Sequence, residues 1–306
     1  MIAAAAGWSL AAIAAVGMLA GGVWRIGAKT QRPRLVAITE EPEDAVRWER
    51  IRFRSGESEL AGWFIEGADG LAAEAGGKLP TVIIAHGWGS NRSRVLRYAK
   101  PLYKAGFSVF MYDARSHGES DSVKAPTAFM FRDDLLAAVA AARKLSRVDP
   151  EQIAVLGHSL GGVGSVLALQ KGLKVKAIVT DSMPVTFETM VDSQLKKKGL
   201  PFFPLGYLIP AIWLRRARIS RSEARLSNVP DALERYAGNA AEGRTPVLSI
   251  HSTGDDFIPA NDLRRLEREL PPGRIQTLFV NATGHSASQQ DEAFWRNVLP
   301  FLREHL

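Results

Sequence analysis

Residues 157–161 read Gly-His-Ser-Leu-Gly, directly after the apolar run Ile153–Leu156 and before a stretch rich in Ala and Leu. The apolar run predicts a buried strand and the following stretch a helix, so the pentapeptide lies on a sharp strand-to-helix turn. Glycines on both sides of Ser159 allow backbone conformations that a Cβ would forbid. Such a turn pushes the Ser159 hydroxyl out of the sheet, next to the positive end of the helix. We therefore expect Ser159 to be a nucleophile.

Strand and helix patterns alternate over most of the chain. Short runs rich in β-branched and aromatic residues predict eight strands, at 48–53, 60–65, 81–85, 108–112, 153–156, 175–180, 247–251 and 275–280. Helical patterns lie between them, at about 92–105, 128–146, 160–171, 260–270 and 288–305. This alternation predicts an α/β fold with a mostly parallel sheet and helices on both of its faces.

Residues 182–245 interrupt this alternation, because they are too many for a simple connection between strands. We expect a helical lid inserted over the carboxyl ends of the strands, where open α/β sheets bind ligands. The insertion holds an apolar stretch at 201–213 and a basic flank at 215–218. These features suit contact with an anionic membrane surface. The alternative is that the apolar face packs on the rest of the domain.

The N-terminus carries an uncharged run from Ile2 to Trp24. As a helix, its 23 residues would be about 35 Å long, which is enough to cross a bilayer. We predict a transmembrane anchor at residues 1–24, a juxtamembrane linker at 25–47 and a globular domain at 48–306. A cleaved signal peptide is the alternative, although no Lys or Arg precedes the run. The basic residues after the run predict a membrane protein whose domain lies on the cytoplasmic face.

Composition excludes several functions. The 306 residues contain no Cys, which excludes disulfides, thiolate metal sites and a cysteine nucleophile. The net charge of +7 is concentrated in residues 1–34 and 195–226, which carry +4 and +7. These basic residues lie beside apolar segments, so we do not expect nucleic-acid binding. No His and carboxylates have the spacing of metal ligands, so we expect no metal and no other cofactor.

Two further residues complete a catalytic pattern with Ser159. Asp255 follows the strand at 247–251, and His285 follows the strand at 275–280. All three residues come after parallel strands, so they should meet at one edge of the sheet. A serine hydroxyl needs a base, and the base needs an orienting carboxylate. Asp256 and Asp181 remain alternatives for that carboxylate.

Two backbone amides are candidates for an oxyanion hole. One is the N–H of Leu160, directly after the nucleophile, and the other is the N–H of Trp88 in the loop His86-Gly87-Trp88-Gly89-Ser90. Glycines let this loop approach a bound ester closely. We expect His86, Gly87 and His158 to line the substrate site. The alternative for the loop is a simple glycine turn.

From about residue 48 onward, the chain resembles α/β-hydrolase-fold serine hydrolases of the esterase and lipase kind. The matching motifs are His86-Gly87, residues 113–120, residues 157–161, the Asp255 loop and Gly284-His285. The second motif usually reads D-x-R-G-H-G-x-S, and Ser116 replaces its first glycine, which concerns the shape of that loop. The whole pattern is similar to bacterial membrane-tethered hydrolases with an N-terminal span.

The resemblance implies an α/β-hydrolase fold with a lid and a function in acyl-ester hydrolysis. The expected reaction forms an acyl-enzyme on the triad of Ser159, His285 and Asp255, with a small-molecule or lipid ester or a thioester as substrate. A serine amidase or aminopeptidase with the same triad is an alternative. A non-catalytic binding protein that keeps the fold is another. The expected partners are therefore an acyl substrate and a membrane, through the N-terminal helix and the basic lid.

Overall fold

The computed structural model describes residues 2–43, 46–67 and 77–306, and in the N-terminal helix the side chains of residue 15 and residues 17–30. Eight strands form one sheet. They are β1 Trp48–Ser55, β2 Ser58–Ile65, β3 Leu79–Ala85, β4 Ser108–Tyr112, β5 Val148–His158, β6 Ala177–Asp181, β7 Val247–Gly254 and β8 Gln276–Thr283. Each strand overlaps one of the predicted strands.

The described residues also form ten α-helices. They are α1 Ile2–Thr30, α2 Leu96–Lys104, α3 Ala128–Ala142, α4 Leu160–Leu169, α5 Phe187–Lys197, α6 Leu205–Ala217, α7 Arg221–Leu226, α8 Val229–Tyr236, α9 Ala260–Glu269 and α10 Glu292–His305. Short 3-10 helices at Arg92–Val95, Ala240–Glu242 and Ser288–Gln290 accompany them. The five predicted helical patterns match α2, α3, α4, α9 and α10.

The sheet is mostly parallel, as the sequence predicts. Its strand order is β1-β2-β4-β3-β5-β6-β7-β8. Strands β1 and β2 are antiparallel to each other, and β2 is antiparallel to β4. The pairs from β4 through β3, β5, β6 and β7 to β8 are all parallel. The carboxyl ends of β3, β5, β7 and β8 therefore lie along one edge, where loops from distant parts of the chain meet.

Two apolar layers cover the two faces of the sheet. On one face, buried side chains of α3, α4, α8 and α9 pack together, among them Phe131, Val166 and Leu266. On the other face, α2 and α10 contribute a second cluster that includes Tyr98 and Phe294. Because both faces are covered, the central strands β3, β4 and β6 are buried on both sides. This explains why such strands appear in the sequence as continuous runs of β-branched and other apolar residues, and not as an alternation of apolar and polar residues.

Residues between β6 and β7 form the four helices α5, α6, α7 and α8. Helices α5 and α6 share a small apolar cluster of their own, built on Val191, Leu195 and Ile209. Thr186, Ser220 and Asn228 cap α5, α7 and α8 by accepting hydrogen bonds from backbone N–H groups of the first turn. The role of this insertion as a lid, and its contact with a membrane surface, stay predictions.

Helix α1 differs from the expected N-terminus. It does not end near residue 24 but continues to Thr30, into the segment predicted as a linker. Its last turn packs on α6, where the Trp213 indole N–H donates to the Gly27 carbonyl at 2.8 Å. This contact packs the part of α1 that extends beyond residue 24 against α6. In the part of the chain that is described, no helix combines the length and the hydropathy of a membrane span, so the predicted transmembrane helix is not found.

Candidate active site

The turn between β5 and α4 holds Ser159 in a conformation that is rare for a residue with a side chain. Its φ is 53° and its ψ is −121°, outside the regions that most residues adopt. Gly157 allows this turn, because a Cβ there would lie 2.6 Å from both Gly162 N and Gly162 Cα. The Ser159 N–H donates to the Asp181 carbonyl at 2.9 Å, which ties the turn to β6. The predicted strand-to-helix turn is therefore present at Ser159.

Three side chains from three strand ends meet at this turn. His285 Nε2 lies 2.9 Å from Ser159 Oγ, and His285 Nδ1 lies 2.8 Å from Asp255 Oδ2. A carboxylate only accepts hydrogen bonds, so Nδ1 carries the proton and Nε2 accepts from the Ser159 hydroxyl. This is the arrangement in which an imidazole can take the proton of a hydroxyl. The structure thus brings Ser159, His285 and Asp255 together as the sequence predicts.

Asp255 is the carboxylate that orients His285. Its side chain is fully buried, and its Oδ1 accepts from the backbone N–H groups of Phe257 at 2.8 Å and Ile258 at 2.9 Å. Burial alone would raise the pKa of Asp255, but hydrogen bonds from His251, His285 and Phe257 outweigh it and hold the pKa well below its usual range. Asp255 is therefore ionised at neutral pH.

The two alternative carboxylates have other partners. Asp256 Oδ1 accepts from the backbone N–H of His285 at 3.2 Å, so it supports the loop and not the ring. Asp181 accepts a hydrogen bond from the Tyr98 hydroxyl, and burial raises the pKa of Asp181. Among the described contacts, neither carboxylate reaches an imidazole nitrogen of His285. The geometry thus favours Asp255.

His251 is a neighbour of the triad that the sequence analysis did not assign to the site. Its side chain is buried within β7, with Nε2 3.4 Å from Asp255 Oδ2 and 2.9 Å from the Ile258 carbonyl. His251 therefore helps to hold the loop that carries Asp255. A sequence signal is present, because His251 lies four positions before Asp255.

The two expected oxyanion donors lie on either side of Ser159. Leu160 is the first residue of α4, and Trp88 follows Gly87 in the loop after β3. In the described part of the chain, neither N–H donates to another protein atom. A Cβ on Gly87 would lie 2.9 Å from Ser159 Cβ and 3.4 Å from Ser159 Oγ. The loop therefore passes directly beside the hydroxyl, and only glycine fits at residue 87.

The sequence predicts that three residues, His86, Gly87 and His158, line the substrate site. His86 is buried, with Nδ1–H donating to the Gly87 carbonyl at 2.7 Å and Nε2 accepting from the Ala114 N–H at 3.0 Å. His158 is also buried and its Nε2–H donates to the His285 carbonyl at 2.9 Å. Neither ring, nor Gly87, is on the wall of the cavity beside Ser159. His86 bonds to backbone groups through both ring nitrogens and His158 through Nε2, so both rings help to position the loops around the triad.

Burial keeps these two histidines uncharged. Desolvation lowers the pKa of His86 to about 4, even though the hydrogen bond to the Gly87 carbonyl acts in the opposite direction. Desolvation and the nearby Arg97 and His285 lower the pKa of His158 well below its ordinary value. A neutral His158 carries one proton, on the Nε2 that donates to His285. The hydrogen bond that holds the His285 loop is thus donated by the uncharged ring of His158.

A cavity of about 190 Å³ opens beside the hydroxyl of Ser159. Ser159 and His285 of the triad line it, together with Leu160 and Trp88. Its other walls are mainly aliphatic and aromatic side chains of α5 and α6, with Phe257 next to the triad. The Phe257 ring lies edge-on to the His285 ring, with 5.2 Å between their centroids. The arrangement can hold an apolar group with its reactive carbon at the hydroxyl.

Metal ligation has no candidate among the residues that the structure describes. No group of three or more His, Asp or Glu side chains there is arranged to hold a metal ion. The chain also has no cysteine.

Comparisons with known proteins agree on the fold. A sequence model of the alpha/beta hydrolase fold matches residues 80–284. The protein YfhR of Escherichia coli is 28% identical over 205 residues, which is 65% of this chain and 60% of YfhR. The chain thus covers less than two thirds of the length of this relative.

Two esterases of known structure are similar in three dimensions. The esterase Pf2001 of Pyrococcus furiosus has a TM-score of 0.66 at 20% identity, over 89% of this chain and 99% of Pf2001. Est1E of Butyrivibrio proteoclasticus, solved with ferulic acid bound, has a TM-score of 0.61 at 20% identity, over 83% of this chain and 98% of Est1E. At this level of identity the likeness concerns the fold.

Proposed function

Because the chain belongs to the alpha/beta hydrolase fold family, we propose that it is a serine hydrolase that cleaves carboxylic esters through an acyl-enzyme. The observation that carries the proposal is the continuous hydrogen-bonded relay from Ser159 Oγ through His285 to Asp255, with distances of 2.9 and 2.8 Å. The two esterases with a similar fold are consistent with it.

In the first half of the reaction, the Ser159 oxygen attacks the ester carbonyl while His285 Nε2 takes the hydroxyl proton. The carbonyl oxygen becomes an oxyanion, to which the N–H groups of Leu160 and Trp88 donate. The carbon–oxygen bond to the alcohol then breaks, and His285 gives its proton to the departing alcohol. Asp255 stays ionised and stabilises the imidazolium. The product of this half is an acyl group on Ser159.

Water completes the second half. His285 takes a proton from water, whose oxygen attacks the acyl carbonyl, and the same two amides hold the oxyanion. The bond to Ser159 breaks, Ser159 regains the proton from His285, and the carboxylic acid leaves. Each residue therefore ends in the state in which it began. The same steps apply to a thioester, with a thiol as the leaving group.

The test compares hydrolysis of p-nitrophenyl esters by the full chain and by two serine variants. Ser159→Ala should lower kcat by several orders of magnitude, because the nucleophile is absent. The matched control is Ser165→Ala, which removes a hydroxyl that donates to the Gly161 carbonyl within the same helix α4. It should retain activity within a few-fold. If Ser159→Ala is as active as the Ser165 control, the protein is not a serine hydrolase at this site.

The same test separates the rival functions. A binding protein that keeps the fold would show no turnover with esters, thioesters or amides in either form. A serine amidase would turn over aminoacyl anilides in preference to esters, with the same dependence on Ser159. Ester preference with dependence on Ser159 supports the proposed function against both.

A further inference from the structure

The cavity beside Ser159 has a wall that comes from the far N-terminus of the described chain. The end of α1 and the residue after it line the cavity together with residues of α5 and α6; they contribute Ile26, Thr30 and Gln31. More than a hundred residues separate them from Ser159 along the chain. The end of helix α1 therefore forms part of the wall of this cavity.

A set of polar contacts holds the end of α1 against α6. The Trp213 indole N–H donates to the Gly27 carbonyl, and the Gln31 amide donates to the Trp213 carbonyl at 3.1 Å. Arg216 Nε in turn donates to Gln31 Oε1 at 2.9 Å. Gln31 is only 2% exposed, so its two hydrogen bonds are shielded from water. These contacts fix the position of the wall.

Close packing adds to this attachment at Gly27. A Cβ at this position would lie 2.9 Å from Ile212 Cγ2 and 3.0 Å from Ile212 Cδ1. The absence of a side chain lets α1 approach α6 closely enough for the Trp213 bond to form. The end of α1 is thus seated in one position, and the cavity has a defined outer limit.

The size of the cavity indicates what it can hold. An apolar cavity of about 150 Å³ accepts a benzene molecule, so one of about 190 Å³ has space for roughly six to eight carbon atoms. Among the residues that line it, Val191 and Ile209 are 2% exposed, whereas Ile26 is 42%, Phe187 43% and Leu200 36% exposed, so the last three lie where the cavity opens to solvent. The aliphatic and aromatic walls favour an uncharged chain or ring.

From these observations we propose that the cavity is the acyl-binding site, that it takes an apolar acyl group of roughly six to eight carbons, and that Ile26 of α1 determines the longest chain accepted. The proposal rests on the proposed ester hydrolysis. Each methylene buried in the cavity should raise kcat/KM about fourfold until the site is full. Longer acyl chains would have to extend past Ile26, and their additional methylenes would not raise kcat/KM further.

The experiment measures kcat/KM of the full chain for p-nitrophenyl esters from acetyl to dodecanoyl. Ile26→Trp fills space equivalent to about two methylenes, so turnover of the octanoyl ester should fall about fifteenfold. Turnover of the acetyl ester should change less than twofold. The matched control is Arg25→Trp, the same added ring on an adjacent exposed side chain that does not line the cavity. It should leave the whole profile within twofold of wild type.

A second variant tests the opposite change. Ile26→Ala opens the outer wall and should move the preferred acyl length upward by one or two carbons. If both Ile26 variants keep the wild-type profile, or if Arg25→Trp changes the profile as much as Ile26→Trp, the assignment of Ile26 is overturned.

Binding of octanoate to the Ser159→Ala variant, measured by calorimetry, separates this inference from the proposed function. It should weaken when Ile26→Trp is added and should not change when Arg25→Trp is added. If the wild-type protein hydrolyses no ester but octanoate binding shows this difference, the proposed function fails and the acyl-binding site stands. If esters are hydrolysed but octanoate binding is the same in all variants, the acyl-binding site is wrong and the proposed function stands.

Discussion

Replacing Gly87 with Ala tests the arrangement of the loop beside the nucleophile. A Cβ at this position would lie 2.9 Å from Ser159 Cβ and 3.3 Å from the His158 carbonyl oxygen. Carbon atoms in contact prefer separations of about 3.5–4.0 Å, so the loop must move outward by roughly 0.6–1 Å. That movement carries the N–H of Trp88, the next residue, away from the oxyanion. Loss of one such donor lowers kcat by about 10²–10³, or about 3–4 kcal/mol.

The matched control for this prediction is Gly89→Ala in the same loop. Gly89 has a φ of 65° and nothing within 4 Å of an added Cβ. The substitution should cost about 1–2 kcal/mol of stability through backbone strain, but it does not press on Ser159. The assay is steady-state hydrolysis of a p-nitrophenyl ester, with thermal unfolding to confirm that both variants are folded. A folded Gly87→Ala protein with activity near that of Gly89→Ala would refute the assigned oxyanion donor.

Three further predictions concern residues around the triad. Asp255→Asn should lower kcat about 10⁴-fold at neutral pH with the fold intact, because the amide favours the wrong tautomer of His285; unchanged kcat in a folded protein would exclude Asp255 as the orienting group. His158→Phe removes the bond to the His285 carbonyl and should lower kcat about tenfold, with little change in KM; a change in KM alone would point to a substrate contact. The pKa of His86, lowered to about 4 by burial, means that the unfolded chain binds more protons than the folded one between pH 6.5 and 4. His86 should therefore contribute up to about 3 kcal/mol to the fall in stability over that interval as the pH is lowered, and the His86→Gln variant should show a smaller fall in urea unfolding; equal falls would contradict the assignment.

Much of the fold could be predicted because each strand is recognisable from a short run of neighbouring residues. Parallel strands buried on both faces read as runs of β-branched and aromatic residues, such as Thr81–Ala85 and Val247–His251. The strand order places the carboxyl ends of β5, β7 and β8 at one edge, so loops that follow them meet there. For this reason Ser159, Asp255 and His285 could be chosen as candidates without coordinates.

The parts that could not be predicted depend on tertiary packing. Nothing in the pattern around Gly27 or Trp213 indicates that these residues bond to each other, because they are 186 residues apart. That His86 and His158 line the substrate site is inferred from their places beside the predicted site in the sequence, and it stays a prediction. Both ring nitrogens of His86 and Nε2 of His158 bond to backbone groups, and these contacts depend on the packing of neighbouring loops, which the sequence pattern does not indicate.

Labelling with a fluorophosphonate, followed by peptide mapping with mass spectrometry, tests the central assignment most directly. The reagent phosphonylates an activated serine hydroxyl, so the wild-type protein should carry one adduct, on Ser159, and His285→Ala should react at least a hundredfold more slowly. A folded wild-type protein that stays unlabelled, or that carries its adduct on a different residue, would contradict the account.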